Sequence, residues 1–185
     1  ELIANAITGS RGGIISALGA VANYDSRDDI FFPGKGALIE TVWLHNTQSL
    51  GSDFNFNRFS IDAAAYHTFP WEHILAVNAF TDMTFGEVPF FQLAFIGGTK
   101  KMRGYWEGRF RDKKLWMLQT EYRLPLFWRL GAVVFGGMGS VAPTIEAFAT
   151  QEVHYSYGAG LRIRLSDTEK INVRLAGENP DGKKF

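Results

Sequence analysis

The sequence predicts an all-β chain: an antiparallel up-and-down transmembrane β-barrel of about eight strands, or half of a larger barrel. Three observations carry this expectation. Side chains of opposite character alternate with a period of two along most of the chain, connections alternate between short and long, and the aromatic load is high. In Tyr155 to Ser166, one parity holds Tyr155, Tyr157, Ala159, Leu161, Ile163 and Leu165, and the other Ser156, Gly158, Gly160, Arg162, Arg164 and Ser166. A strand sends successive side chains to opposite faces, so this segment has an apolar face and a charged one. A solvated sheet on a soluble core would do the same. Repeated along the chain, with arginines in the polar row, the pattern fits lipid outside and a wet lumen inside.

Composition narrows the classes. The 185 residues suffice for one domain with a sizeable core. With 19 basic and 19 acidic residues, no net field favours nucleic acid. Cysteine is absent, which excludes disulfides and thiolate-ligated metals. Aromatic residues make up 15%, with 16 Phe, 6 Tyr and 5 Trp; girdles at both membrane interfaces would explain this load, and a Phe-rich soluble core would also do so. No run approaches the ~20 apolar residues of a spanning helix. The chain starts at Glu1 without Met or an apolar leader and reads as a mature or excised product.

Strand candidates follow in order. Gly13 to Asp25 is rich in Gly and Ala, and Ser26 to Gly36 forms a turn around Pro33-Gly34-Lys35-Gly36. Ala37 to His45 precedes a polar loop. Phe56 to Thr68 puts Phe59, Ile61, Ala63 and Ala65 on one face, and Arg58, Ser60, Asp62 and Tyr66 on the other. A Phe69-Pro70-Trp71-Glu72 turn leads into Ile74 to Thr84, whose polar row holds Asn78 and Asp82. Residues 85–112 break the rhythm in a loop far longer than a hairpin turn, the kind that is usually functional or disordered. Lys114 to Leu124 sets Trp116, Leu118, Thr120 and Tyr122 against Gln119, Glu121 and Arg123, and Pro125-Leu126-Phe127 reads as its turn. Arg129 to Met138, a second long loop over 139–154, the alternating strand quoted above, a turn at Asp167 and a short strand Ile171 to Leu175 complete the series. Residues 176–185 read as a tail, and 1–185 as a single domain. Tight turns at one end and long loops at the other are the asymmetry of outer-membrane barrels.

Several segments together resemble the BamA/TamA superfamily of outer-membrane assembly and translocation barrels, the bacterial surface antigen family. Asp25, Arg27 and Asp28 followed by Phe32, Pro33 and Gly36 look like its periplasmic turn. Gly97-Gly98 ahead of Arg103-Gly104-Tyr105 looks like its Gly-Gly pair and Arg-Gly-aromatic tip. Glu121 with Leu124-Pro125-Leu126 matches the acidic strand that follows, and Gly158 to Arg162 resembles a strand near the family's C-terminus. The resemblance implies that the 85–112 loop is external and folds back into the lumen. It also implies a bacterial outer-membrane location, assistance in assembly, insertion or translocation of outer-membrane proteins, and no cofactor. Where the family has an acidic residue in the sixth strand, this chain has Gly137. The family's barrel has about twice the strands counted here, and its adaptor domains are absent from this sequence.

A guanidinium in a lumen needs a carboxylate, because an unpaired charge away from bulk water costs several kcal/mol. Glu121, on the polar row of the next strand, is the expected partner of Arg103, with Asp62 and Asp82 as alternatives. Further lumen charges are expected at Arg58, Arg123, Arg162, Arg164 and Arg174. The four histidines, His45, His67, His73 and His154, show no metal-ligand spacing. Ser60 and Asp62 share one face while His67 falls on the other, so no nucleophile set forms and the chain is expected not to be an enzyme. The expected partners are the lipid bilayer, unfolded outer-membrane proteins as substrates, and a further copy in an oligomer. A small passive barrel or pore, a soluble lipocalin-like binder and, remotely, a membrane hydrolase remain the other readings.

Overall fold

In the computed structural model, residues 7–164 and 170–178 are described, with side chains through Ile163. Two-residue alternation and a wealth of β-branched and aromatic residues produce strands throughout. They are β1 (Ala17–Asp25), β2 (Gly36–Asn46), β3 (Phe56–Thr68), β4 (Ile74–Gly86), β5 (Ala94–Ile96), β6 (Phe110–Asp112), β7 (Lys114–Phe127), β8 (Leu130–Ala142), β9 (His154–Arg164) and β10 (Lys170–Glu178). Eight form one antiparallel sheet in the order β1-β2-β3-β4-β7-β8-β9-β10, and β5 and β6 pair separately. Each sheet strand bonds its sequence neighbours, the up-and-down meander expected. The sheet is open, with β1 and β10 as its edges. A closed eight-stranded barrel is therefore not what these strands form; the half-barrel alternative describes them.

Connections sort by end. Residues 26–35, 69–73 and 128–129 join strands at one end, and 47–55, 87–113 and 143–153 at the other. The expected turn at Asp167 lies outside the described residues.

The two faces differ as lipid and lumen faces must. Leu161 is 50% exposed and Val134 49%, because no described residue covers the outer row. Glu121, by contrast, is 6% exposed and Asp82 0%. The buried apolar cluster lies inside the curve, where loop residues Ala94, Ile96, Met102 and Tyr105 pack on Leu115 and Met117 of β7.

Several boundaries differ from expectation. β1 begins at Ala17, not Gly13. β7 runs through Pro125 to Phe127, and the turn falls on Trp128-Arg129. The ladder shifts register between Pro125 and Phe127, which lets a residue without an N–H sit inside a strand. β8 extends to Ala142, shortening the loop after it. The last strand is not short and the tail does not start at 176: Ala176, Gly177 and Glu178 pair with Gly158, Tyr157 and Ser156. Backbone ladder bonds continue there after side-chain alternation has ended. Residues 179–185 lie outside the described residues.

Candidate functional site

The 87–113 connection does not project away from the sheet. Its β5–β6 hairpin turns the chain back, and Gly97 bridges Lys101 to narrow the loop to a tip. Gly97 sits at φ 116°, and a Cβ there would meet the Trp106 carbonyl oxygen at 2.0 Å, so only glycine fits this approach. Met102 (φ 57°) and Gly104 (φ 115°) bend the tip so that Arg103 points to the wall.

Three neighbouring residues fasten the tip. The Met102 N–H donates to Gln119 Oε1 at 2.9 Å, and Gln119 Nε2 returns a bond to the Lys100 carbonyl at 3.0 Å. Arg103 Nη1 donates to Glu121 Oε2 at 3.0 Å, and its guanidinium lies 4.3 Å from the centre of the Phe135 ring. The buried Tyr105 donates its hydroxyl proton to the Tyr155 carbonyl at 2.8 Å and meets Phe110 edge-on at 5.4 Å. Phe110 in turn stacks on His154 at 3.6 Å. Polar and aromatic contacts thus hold the loop to β7, β8 and β9 at once.

Glu121 is the centre of a charge cluster. Arg123 Nε donates to its Oε1 at 2.7 Å, and Arg162 Nη1 stands 3.9 Å from the same oxygen. Arg123 also donates from Nη1 to the Pro33 carbonyl at 3.0 Å. That bond ties the loop clamp to the turn at the other end of the sheet. A polar cavity of about 270 Å³ lies beside the cluster, lined by Tyr66, Asn78, Lys100, Arg103, Gln119 and Glu121 among others.

The alternative carboxylates serve elsewhere. Asp82 takes two bonds from Arg58, at 2.9 and 2.5 Å, a planar fork meeting a fully buried carboxylate. Asp62 accepts from Asn78 Nδ2 at 2.6 Å. Lys101 lies over Phe80 at 4.4 Å and Phe95 at 4.9 Å, and burial pushes its ammonium below the ordinary lysine range against the pull of Asp82. The side chains of Arg164 and Arg174 lie outside those described.

The 26–36 turn is also built from its named residues. Asp25 receives Arg27 through Nε at 2.9 Å and Nη2 at 2.7 Å. Asp28 Oδ1 accepts the Gly34 N–H at 2.8 Å and the Lys35 N–H at 3.1 Å. The Lys35 amide foremost, then that of Gly34, holds the Asp28 carboxyl below its usual range. Pro33 is buried, Phe32 half-buried, and Gly36 (φ 97°) passes within 2.2 Å, for a notional Cβ, of the Ser26 carbonyl oxygen.

Sequence reasoning named Arg103 and Glu121 but missed Gln119 and Phe135 as supports for the loop. Both carry a legible signal, since they share the lumen row of their strands with Glu121 and Val133. The bond from Tyr105 to a backbone carbonyl carries none. Chemically the cluster is a clamp: it fixes a loop through charge-assisted bonds and presents no nucleophile beside a base. Among the described residues no three His, Asp or Glu side chains gather as a metal site. His73 Nδ1 and the Tyr122 hydroxyl share a 2.8 Å hydrogen bond, and His67 packs edge-on against Phe69.

Comparison with known proteins adds three findings. The model of the Omp85 superfamily domain matches residues 9–177. The fold is similar to the crystal structure of BamA from Haemophilus ducreyi lacking POTRA domains 1–3, with a TM-score of 0.72 and 17% identity. That match covers 89% of this chain and 38% of the BamA chain, so the chain spans well under half of that protein's length. No curated protein matches the sequence significantly.

Proposed function

Because the chain belongs to the Omp85 superfamily and is an outer-membrane protein of that type, we propose that it assists other outer-membrane proteins to assemble, insert or cross, in a bacterial outer membrane. The observation that carries this reading is an open sheet with an exposed apolar outer row, whose inner face holds a loop locked on Glu121. A stiff wall with a fixed loop keeps its strands in register while an edge stays available. Unpaired backbone groups along a sheet edge are a template for a further strand, so an incoming segment can add by augmentation. β1 suits this role: it is exposed along its whole length and carries the small residues Ala17, Gly19, Ala20 and Ala22. Its occupant is an unfolded barrel strand, and a second copy of this chain could occupy the same edge. The chemistry is association and exchange of backbone hydrogen bonds, with no cofactor or covalent step.

The test is insertion of a substrate barrel into liposomes with and without this protein. Faster insertion in its presence supports the proposal, and an unchanged rate overturns it in favour of a passive barrel.

A further inference from the structure

Arg27 and Arg58 show how this chain satisfies a guanidinium. Arg58 gives Nε and Nη2 to Asp82 and Nη1 to Gln92 Oε1. Arg27 gives Nε and Nη2 to Asp25 and Nη1 to the Ile30 carbonyl. In both, one carboxylate meets the planar fork along an edge. Arg103 and Arg123 are arranged differently. Each gives Glu121 a single nitrogen, Nη1 from Arg103 and Nε from Arg123, one to each carboxylate oxygen. Arg123 Nη1 is taken by the Pro33 carbonyl. Among the described residues, no oxygen accepts from Arg103 Nε or Nη2, or from Arg123 Nη2.

These spare donors sit on side chains that are only 20% and 16% exposed. Both arginines line the polar cavity of about 270 Å³, and Lys100 lines it too. Against these three cations the described lining holds one carboxylate, Glu121, already divided between two guanidiniums. Asp62 and Asp82 are engaged by Asn78 and Arg58 and lie outside the lining. Water can solvate the spare N–H groups, but it does not balance the charge. A cleft lined by one sign of charge draws in a counter-ion. There is room for one, since ~10–15 Å³ already admits a water. Two oxygens of a carboxylate would leave one of the three cations unmet. A tetrahedral phosphate group has oxygens for two forks and an ammonium together. Thr99, also in the lining, adds a hydroxyl donor.

We infer that this cavity binds a phosphate-type oxyanion, which bridges Lys100 and Arg103 of the loop to Arg123 of β7 and completes the clamp that Glu121 begins. The group is carried by free phosphate or by the headgroup of a phosphorylated lipid, and the chemistry at the site is the same. The inference rests on the loop geometry and not on the insertion reading.

The experiment uses the full chain in alkyl-glycoside micelles and reads cleavage within 97–109 by an added protease. Opening the loop releases the bridging ion, so cleavage should slow at least about threefold when roughly 20 mM inorganic phosphate replaces chloride at constant ionic strength. Titration calorimetry should find phosphate binding with saturation at one site per chain. Lys100→Gln removes one of the cations and should cut the protection at least about twofold. Thr99→Glu sets a tethered carboxylate in the same lining and should abolish it. Both positions are exposed, so neither substitution disturbs packing. A general salting effect of phosphate would protect all three chains alike, and that result overturns the inference. A parallel arm dopes the micelles with phosphatidic acid. Protection by inorganic phosphate assigns the free ion, protection by phosphatidic acid alone assigns the lipid headgroup, and protection by neither overturns the inference. Insertion rates play no part in these readouts, so failure here leaves the proposed function standing.

Discussion

Neutralising Glu121 is the perturbation that tests the loop clamp most directly. The carboxylate receives Arg103 at 3.0 Å and Arg123 at 2.7 Å, with Arg162 at 3.9 Å, and its side chain is 8% exposed. A hydrogen bond to a charged group contributes about 1.5–3 kcal/mol, so two such bonds amount to roughly 3–6 kcal/mol. Glu121→Gln keeps one carbonyl acceptor and the side-chain volume, so about half should survive. The expected loss is then about 1.5–3 kcal/mol, or roughly 3–12 °C in heat midpoint for a chain this long. The assay is heat-dependent mobility on a semi-native gel. Arg103→Ala removes one of the two bonds and should fall in the same direction, and the double variant should fall by less than the sum, because the partners share an interaction. A Glu121→Gln midpoint within about 1 °C of wild type, or strict additivity, would show that this cluster does not hold the loop.

Other substitutions separate the remaining contacts. Asp82→Asn should cost more than Glu121→Gln, about 3–5 kcal/mol, because it leaves Arg58 facing a fully buried site without its charge; chemical denaturation measures it. Gly97→Ala should release the loop, since the new methyl meets the Trp106 carbonyl; proteolytic cleavage within 97–109 should rise several-fold, and an unchanged cleavage rate refutes it. Asp28 sets a pH dependence for the 26–36 turn. Its folded-state value lies below the ordinary 3.8, so its stabilisation is present above that value and lost as pH falls through the lower folded one. Exchange of the Gly34 and Lys35 amides should accelerate over that acid window in the wild type, with the dependence absent in Asp28→Asn.

Which features were legible follows from what a single strand can encode. Parity is local, so β9 announces its two faces through Leu161 and Arg162 alone, and the lumen placement of Glu121 follows from Trp116 and Leu118 on the opposite row. Register is not local. Arg58 lies opposite Thr84 and Asp82 opposite Ser60, and their ion pair forms on the diagonal between two strands. Nothing in either strand by itself sets that offset. The same limit hid the ends: Glu178 is in a strand because β9 offers it Ser156, not because its own neighbours alternate. Pro125 misled because a proline usually marks a turn, while here a register shift accommodates it two residues before the chain reverses.

The distribution of apolar burial explains why the loop matters to the wall. A sheet facing lipid gains no packing inside its own chain from its outer row, so Leu161, Val134 and Trp43 stay open to whatever surrounds the molecule. Among the described residues, the loop's Ile96, Met102 and Tyr105 pack against Leu115 and Met117 in one buried apolar cluster. The polar clamp and this cluster meet at the same residues: Met102 is fully buried, its own N–H is held by Gln119 and its neighbour Arg103 by Glu121. Through Arg123 the same carboxylate reaches Pro33. A single charged residue thus joins the loop, the wall and the opposite turn, and loosening it relaxes three parts of the sheet together.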